Sequence, residues 1–434
     1  MYETTTDTQP PTRSSWITNL PFYYGWVILF AGVVGTIMSS PGQTYSFSIF
    51  IEQFIKDLGI TRSTVSTLYM VGTLTAGMTM PFVGRQIDKR GPRFVVGVVT
   101  VLFALACVYM STVQNALMLG IGFLFMRMLG QGSMTIVSSN ILNQWWVRRR
   151  GLILSLAGVI ASLLGSGSFP TLINLLIDRF GWRSSYRILG LAVFVIMVPV
   201  GQLLFKRRPE DYGLLPDGME SAPTDGARPS IRRVMEDNWT SREAVRTAAF
   251  WIIGLGLASI SMLGTGLQFH MVSIFADAGL AIEVAAGAFM SVALTGAVVR
   301  IASGFLVDRI PARYLLFAAL LGQTTGLLMA PRLTPGTAGL YGIVLGVTSS
   351  LQMTVSAVIW AKYFGREHLG SITGAAALLS VGGSALGPMP MGIARDVFGS
   401  YTLGLTILAV LPFVLGIVVL FSRRPQRRGA TAGD

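Results

Sequence analysis

The chain reads as an all-α integral membrane protein: twelve transmembrane helices in two pseudo-symmetric six-helix bundles. Three observations predict this. The first is composition, with 52% of the 434 residues hydrophobic and 12% charged, and a mean hydropathy of +0.62. Soluble domains carry about 25% charged residues, so a chain this poor in charge belongs in a bilayer. The second is a series of twelve apolar runs near the ~20 residues that a membrane helix needs. The third is a repeat that relates the two halves of the chain.

The runs fall at 22–52, 65–85, 94–113, 117–145, 151–175, 186–206, 247–276, 286–307, 313–331, 336–361, 370–394 and 402–422. Between them the basic residues are divided unevenly. Twenty-four of the 33 lysines and arginines lie on the side shared with both termini and seven on the other, while Arg127 and Arg300 lie inside spans. This bias predicts that both termini are cytoplasmic, and an even helix count agrees. It also explains the net charge of +13 without a nucleic-acid partner. Residues 1–21 hold only Arg13 as a basic residue and have no signal-peptide pattern, so they read as an N-terminal cytoplasmic tail. The single cysteine, Cys107, excludes an internal disulfide and reads as a packing residue.

The resulting organisation is a first bundle over 22–206, a cytoplasmic linker over 207–246, a second bundle over 247–422 and a C-terminal cytoplasmic tail over 423–434. The linker is rich in Pro, Gly, Asp and Ser, with a short amphipathic helix expected near Ile231–Met235. Across it the halves match in order. Gly84-x-x-x-Asp88-Lys89-x-Gly91-x-Arg93 pairs with Gly304-x-x-x-Asp308-Arg309-x-Pro311-x-Arg313 at an offset of 220. Gln43 to Phe50 pairs with Gln268 to Phe275 at 225, and Pro170 with Pro388 at 218. Ordered matches at nearly one offset predict parallel repeats about an axis along the membrane normal, with a site between them.

Arg300 is the residue that breaks this repeat, since its partner position is Met80. A cation near the middle of a span costs at least ~2.5–3.5 kcal/mol and usually marks a substrate or ion path. At helical spacing Ala293, Gly296, Ala297, Arg300, Ser303 and Gly304 share one small, polar face; Leu294, Val298, Ile301 and Phe305 form the opposite, apolar one. The pattern predicts a helix that lines a cavity with one side and meets lipid with the other. A guanidinium in that cavity suits a carboxylate, which it grips through two parallel hydrogen bonds.

The repeated loop motif resembles the hallmark G-x-x-x-D-[RK]-x-G-x-[RK] of the major facilitator superfamily, here Gly84, Asp88, Lys89, Gly91 and Arg93, with Gly304, Asp308, Arg309 and Arg313 as its second copy. Within that superfamily the chain is similar to the monocarboxylate transporters and the bacterial oxalate/formate antiporter group. Tyr24-Gly25-Trp26, the run Leu142 to Arg150, and the linker start Arg207 to Gly218 carry this likeness. The resemblance implies alternating access, a substrate-binding arginine at Arg300, and a location in the bacterial inner membrane. The motif charges would clasp helix ends in one conformation. Two departures stand out. The aspartate one turn before the arginine in proton-coupled members is Gly296 here, and neither residues 22–50 nor Ser371 to Pro390 hold a lysine.

Other candidates have two readings each. Arg127, with Gln131 on its face, serves either substrate and protons or internal structure. His270 and Tyr45 hold matching positions beside Gln268 and Gln43, and each either meets substrate or bonds a neighbouring helix. Tyr69 and Asn140 reach the cavity or pack. The Gly-rich stretches Leu163–Ser168 and Ser380–Gly387 lack the lysine of a phosphate loop and read as sites of close helix approach or bending beside Pro170 and Pro388. No metal-ligand cluster, cofactor motif or paired nucleophile and base is present in the sequence, which argues against an enzyme. The expected function is secondary transport of a small organic anion, a monocarboxylate first, with lipid and protons as further partners. The alternatives are an exporter of drugs or metabolites and a membrane sensor that does not transport.

Overall fold

The computed structural model describes residue 17 and residues 20–425 except 148, 219–238 and 366–368, with the backbone alone at 88, 150, 151, 304, 305, 308 and 369–371. The helix expected near Ile231–Met235 lies outside these residues. Every described regular element is helical, as a bilayer demands, because only a helix or a closed barrel satisfies its own backbone in lipid.

In the first bundle α1 covers Gly25–Leu58, α2 Arg62–Arg90, α3 Pro92–Met110 and α4 Ala116–Trp145. The run Leu152–Leu204 is 53 residues long, about 80 Å at ~1.5 Å per residue, far more than a ~30 Å hydrocarbon core. It folds back at Gly181, whose φ of 75° suits a residue without Cβ, into α5 (150–180) and α6 (182–204). The second bundle consists of α7 Ala248–Asp277, α8 Ile282–Arg309, α9 Ala312–Met329, α10 Ala338–Phe364, α11 Leu369–Leu386 with Pro388–Phe398, and α12 Thr402–Leu420. Length and hydropathy alone pick out ten spans among the described residues. One of these is the folded α5–α6 run, and α2, whose threonines and terminal charges lower its hydropathy, is not among them, so the described spans number twelve.

Several spans are interrupted where function is expected. Helix α1 breaks at a 3₁₀ turn, Ser40–Gly42, between Gly25–Met38 and Thr44–Leu58. Helices α4 and α5 carry π-helical turns at Arg127–Met134 and Ser162–Gly167. Such turns insert a residue into the helical register and concentrate at functional sites. Helix α11 breaks at Gly387, where an added Cβ would lie 2.0 Å from the Met262 carbonyl oxygen of α7. The close approach expected of that Gly-rich stretch is therefore a backbone contact between α7 and α11.

The motifs that carry the family likeness pack on one another at the end bearing the termini. Tyr23 Oη donates to the Trp145 carbonyl at 2.8 Å and Trp146 Nε1 to that of Gly25 at 3.2 Å. The Asp217 carboxylate of the linker start accepts from the backbone N–H groups of Val147 and Arg149 at 3.0 and 2.9 Å, anchoring the turn into α5. One apolar core runs through the first bundle and into the distal parts of α7, α8 and α10, through Phe269, Phe275, Phe289 and Tyr341. A separate core, around Leu316, Val355, Trp360 and Phe364, serves the second bundle near the termini. The bundles thus share packing at the distal end, away from the termini.

Candidate functional site

Between the bundles lies a cavity of about 550 Å³, which shares Gln131 and Ser384 in its wall with a smaller one of about 340 Å³. Arg300 of α8 lines the larger cavity, and no other charged residue does among the described residues. On the opposite face of α8, Leu294, Val298 and Ile301 are 52%, 68% and 61% exposed, which makes that face the lipid side. The predicted two-faced helix is seen at Gly296 and Arg300 on the cavity and at Leu294, Val298 and Ile301 opposite, while the Phe305 side chain lies outside the described residues.

Arg300 has strong donors and weak partners. Its Nη2 lies 2.9 Å from the Met353 sulfur, a poor acceptor, and its Nε is buried with no hydrogen-bond partner. Neither a carboxylate nor a carbonyl accepts from it among the described residues. The tip reaches the other bundle: a Cβ added to Gly158 of α5 would sit 2.6 Å from Nη1. Glycine at 158 is what lets a cation of one bundle approach the other. Gly158→Val is therefore expected to displace the guanidinium and weaken carboxylate binding about ten- to hundredfold, the worth of one charge-assisted hydrogen bond. Titration calorimetry on the variant would detect it, and an unchanged affinity would sever Gly158 from the site.

Arg127 is the opposite case. It is 4% exposed, and its Nε and Nη1 are engaged within the first bundle. Nε donates to Thr73 Oγ1 at 3.0 Å, and Nη1 to the Gly42 carbonyl at 3.4 Å and Thr44 Oγ1 at 3.3 Å. Its guanidinium lies 4.8 Å from the Tyr69 ring centroid. The Gly42 carbonyl belongs to the break in α1, so Arg127 satisfies backbone that the break sets free. Of its two readings the geometry carries the structural one, although the residue also borders the smaller cavity.

The structure brings Arg300, Gln131 and Gln268 together on the larger cavity. Five other residues expected at substrate line neither cavity. Gln43 donates to Ser39 Oγ at 2.9 Å, Tyr45 pairs with Ser40 Oγ at 2.8 Å, and Tyr69 pairs with Thr44 Oγ1 at 2.7 Å. Asn140 is partly buried further along α4. His270 is fully buried, with Nε2 2.9 Å from the Pro388 carbonyl oxygen and 3.2 Å from Ser66 Oγ, and Nδ1 3.0 Å from Tyr401 Oη. Helical rotation turns it into the contact between bundles, one residue short of the cavity-lining Met271.

That contact is a polar seam at the distal end. Arg62 Nη1 and Nη2 lie 2.6 and 3.2 Å from the two carboxylate oxygens of Glu52. Across the bundles Ser273 Oγ donates to Glu52 at 2.6 Å, Arg62 also donates to Ser273, and the Ser63 N–H donates to Asp396 at 2.7 Å. Neither Glu52 nor Arg62 stood out in the sequence, because both sit at span ends where charge is ordinary. Gln323, an amide inside an apolar run and now on the cavity wall, was a signal open to sequence reasoning; Gly158 and Met353 offered none.

The loop-motif residues fall in the region bearing the termini. Gly91, at φ 82°, ends α2, and Gly84 precedes it by two turns. Lys89, Arg93 and Arg309 are exposed, while Arg313 Nη1 donates to the Ser422 carbonyl at 3.5 Å. The side chains of Asp88 and Asp308 lie outside the described residues, and with them the acidic half of the expected clasp; at Gly304 only the backbone is described.

The chain is 24% identical over 425 residues to monocarboxylate transporter 13 of Rattus norvegicus, covering 93% of this chain and 92% of that one. It is 23% identical over 258 residues to the oxalate:formate antiporter of Oxalobacter formigenes, covering 59% and 57%. The fold is similar to the crystal structure of a bacterial homologue of the human lysosomal transporter Spinster, inward-facing and unoccupied, with a TM-score of 0.67, 16% identity and coverage of 91% and 95%. The family description Major Facilitator Superfamily matches residues 29–388. Twelve membrane helices in two repeated bundles, a central cavity and this match together make the chain a membrane transporter, not an enzyme, that belongs to the Major Facilitator Superfamily.

Proposed function

We propose that the chain is a secondary active transporter of a small organic anion, a monocarboxylate first, which it moves by alternating access with the carboxylate held on Arg300. The observation that carries this reading is the guanidinium itself: the one charge on the larger cavity among the described residues, with a thioether as its acceptor. A bound carboxylate supplies the two acceptors that the arginine lacks and cancels an intramembrane charge. Neutralisation removes the penalty for closing the cavity around a bare cation, so the loaded bundles rock and the empty ones rest. The relatives named for monocarboxylates and for oxalate and formate support an anion as cargo. Gly296 in place of an acid leaves the cavity without a proton-accepting carboxylate, which favours exchange or uniport over proton symport through this site.

With the Lys/Arg-rich face in the cytoplasm of a bacterial inner membrane, the distal seam is the closed outer gate and the cavity belongs to an inward-facing state. Counterflow in proteoliposomes tests the reading. Unlabelled short monocarboxylates are expected to compete for a labelled one, while their neutral amides, equal in shape, do not. Competition by the amides as strong as by the acids would remove the charge pair from the mechanism.

A further inference from the structure

We propose that the transported anion carries hydroxyl groups remote from its carboxylate, and that Gln131 of α4 and Gln323 of α9 recognise them. The inference rests on the carboxylate reading of Arg300 and adds the chemistry of the other end of the substrate. Three observations lead there.

The first is the composition of the wall. Beyond Arg300 its described polar residues are neutral, amides and hydroxyls, with neither Asp, Glu nor Lys. A second carboxylate would meet no second cation on this wall, since Arg127 lines only the smaller cavity and its Nε and Nη1 are held by Thr73, Thr44 and the Gly42 carbonyl. A purely hydrocarbon tail would meet a mixed wall, in which amides and hydroxyls are interspersed among Ile260, Met271, Phe289, Val292 and Leu345. At about 550 Å³ the cavity also exceeds what a three-carbon acid fills.

The second observation is which amides are free. Gln352 is tied down, its Nε2 2.7 Å from Ser261 Oγ, and Thr265 pairs with Ser384 at 2.8 Å. Gln131 and Gln323 are not. Oε1 of Gln131, an acceptor, and Nε2 of Gln323, a donor, are buried without a partner, and Gln323 as a whole is 1% exposed. A hydroxyl is the small group that donates to one and accepts from the other. The terminal torsion of glutamine is soft, so a short swing brings either amide onto a ligand. Burying such groups against a tail that cannot answer them is penalised, so a site built this way rejects the analogue that lacks the hydroxyl.

The third is placement. Gln131 sits in the π-helical turn of α4, in the first bundle, whereas Gln323 and Arg300 belong to the second. A hydroxylated acid therefore spans the two bundles, as a cargo must if its binding is to draw them together.

The test compares gluconate with hexanoate, which share chain length and charge and differ in hydroxylation, by calorimetry on the purified full chain. Gluconate is expected to bind at least about tenfold more tightly. Gln323→Leu and Gln131→Leu are each expected to bring that ratio towards one. Gln323→Leu should not lower the melting temperature of the ligand-free protein, because it removes a buried amide nitrogen that has no partner. If hexanoate binds as well as gluconate and both are lost in Arg300→Gln, the hydroxyl inference falls and the carboxylate reading stands. If a gluconate preference survives both leucine variants, the assignment to these glutamines is overturned. If neither acid binds the parent, the hydroxyl inference falls and the counterflow of short monocarboxylates decides the carboxylate reading; if both bind Arg300→Gln as well as the parent, the carboxylate reading falls and takes this inference with it.

Discussion

Arg300→Gln is expected to abolish carboxylate binding and transport while leaving the melting temperature of the ligand-free protein unchanged or higher. A bidentate charge-assisted pair is worth more than one such bond, at about 1.5–3 kcal/mol each, so its loss exceeds a hundredfold in affinity. The resting protein loses little, since the arginine's acceptor is the Met353 sulfur and its Nε has none. Removing an intramembrane charge without a counter-ion relieves a cost. Arg127→Gln is expected to behave in the reverse way. It strips the acceptors at Gly42, Thr44 and Thr73 of their donor and takes the cation from the face of Tyr69. Leaving those buried acceptors without their donor costs about 1–3 kcal/mol, which lowers the melting temperature by a few degrees. Melting curves of both variants, each with and without a carboxylate that binds the parent, separate the two roles. A destabilised Arg300→Gln that still binds the acid would invert the assignment.

Glu52→Gln is expected to loosen the distal seam and to raise the population open at that end about tenfold. Glu52 accepts from Arg62 twice and from Ser273 once, at 2.6, 3.2 and 2.6 Å. Its side chain is 43% exposed, so solvent screens the ion pair and the whole arrangement contributes about 1–2 kcal/mol. That suffices for a tenfold shift in a two-state equilibrium. The change would be read as the labelling rate of a cysteine at position 66, buried in the seam next to His270, by a small thiol reagent. Both proteins compared carry Ser66→Cys, so the effect of the probe cancels, and native Cys107 is buried in the first bundle. Equal labelling rates with and without Glu52→Gln would show that the seam is held by packing alone, through contacts such as Tyr69 on Phe269.

Much of this architecture was legible from local pattern. Hydropathy and the basic-residue bias are sums over neighbouring residues, so they survive without knowledge of the fold, and they located the spans and the face bearing the termini. The α5–α6 reversal was implied because no single helix of that length fits a bilayer. Arg300 was legible for the same reason: a cation in an apolar run is anomalous wherever its helix packs. Its lipid-facing stripe followed from simple periodicity, and Val298 and Ile301 do face outward.

The rest was decided by how the helices are turned and paired. A single residue of register rotates a side chain by about 100°. Gln268 thus lines the cavity while His270, two residues on, is buried in the seam. The break in α1 and the π-helical turns of α4 and α5 change that register in ways that an ideal 3.6-residue period does not anticipate. Arg127 and Arg300 look alike in sequence, two intramembrane arginines, and only their surroundings distinguish them. One is enclosed by carbonyl and hydroxyl acceptors from α1 and α2, the other meets a glycine and a methionine. By itself the sequence determined the membrane class, the twelve helices, the repeat and the arginine out of place. Only the tertiary structure decided which polar groups share a cavity, because hydrogen-bond satisfaction depends on partners from distant helices, and distance along the chain carries no record of them.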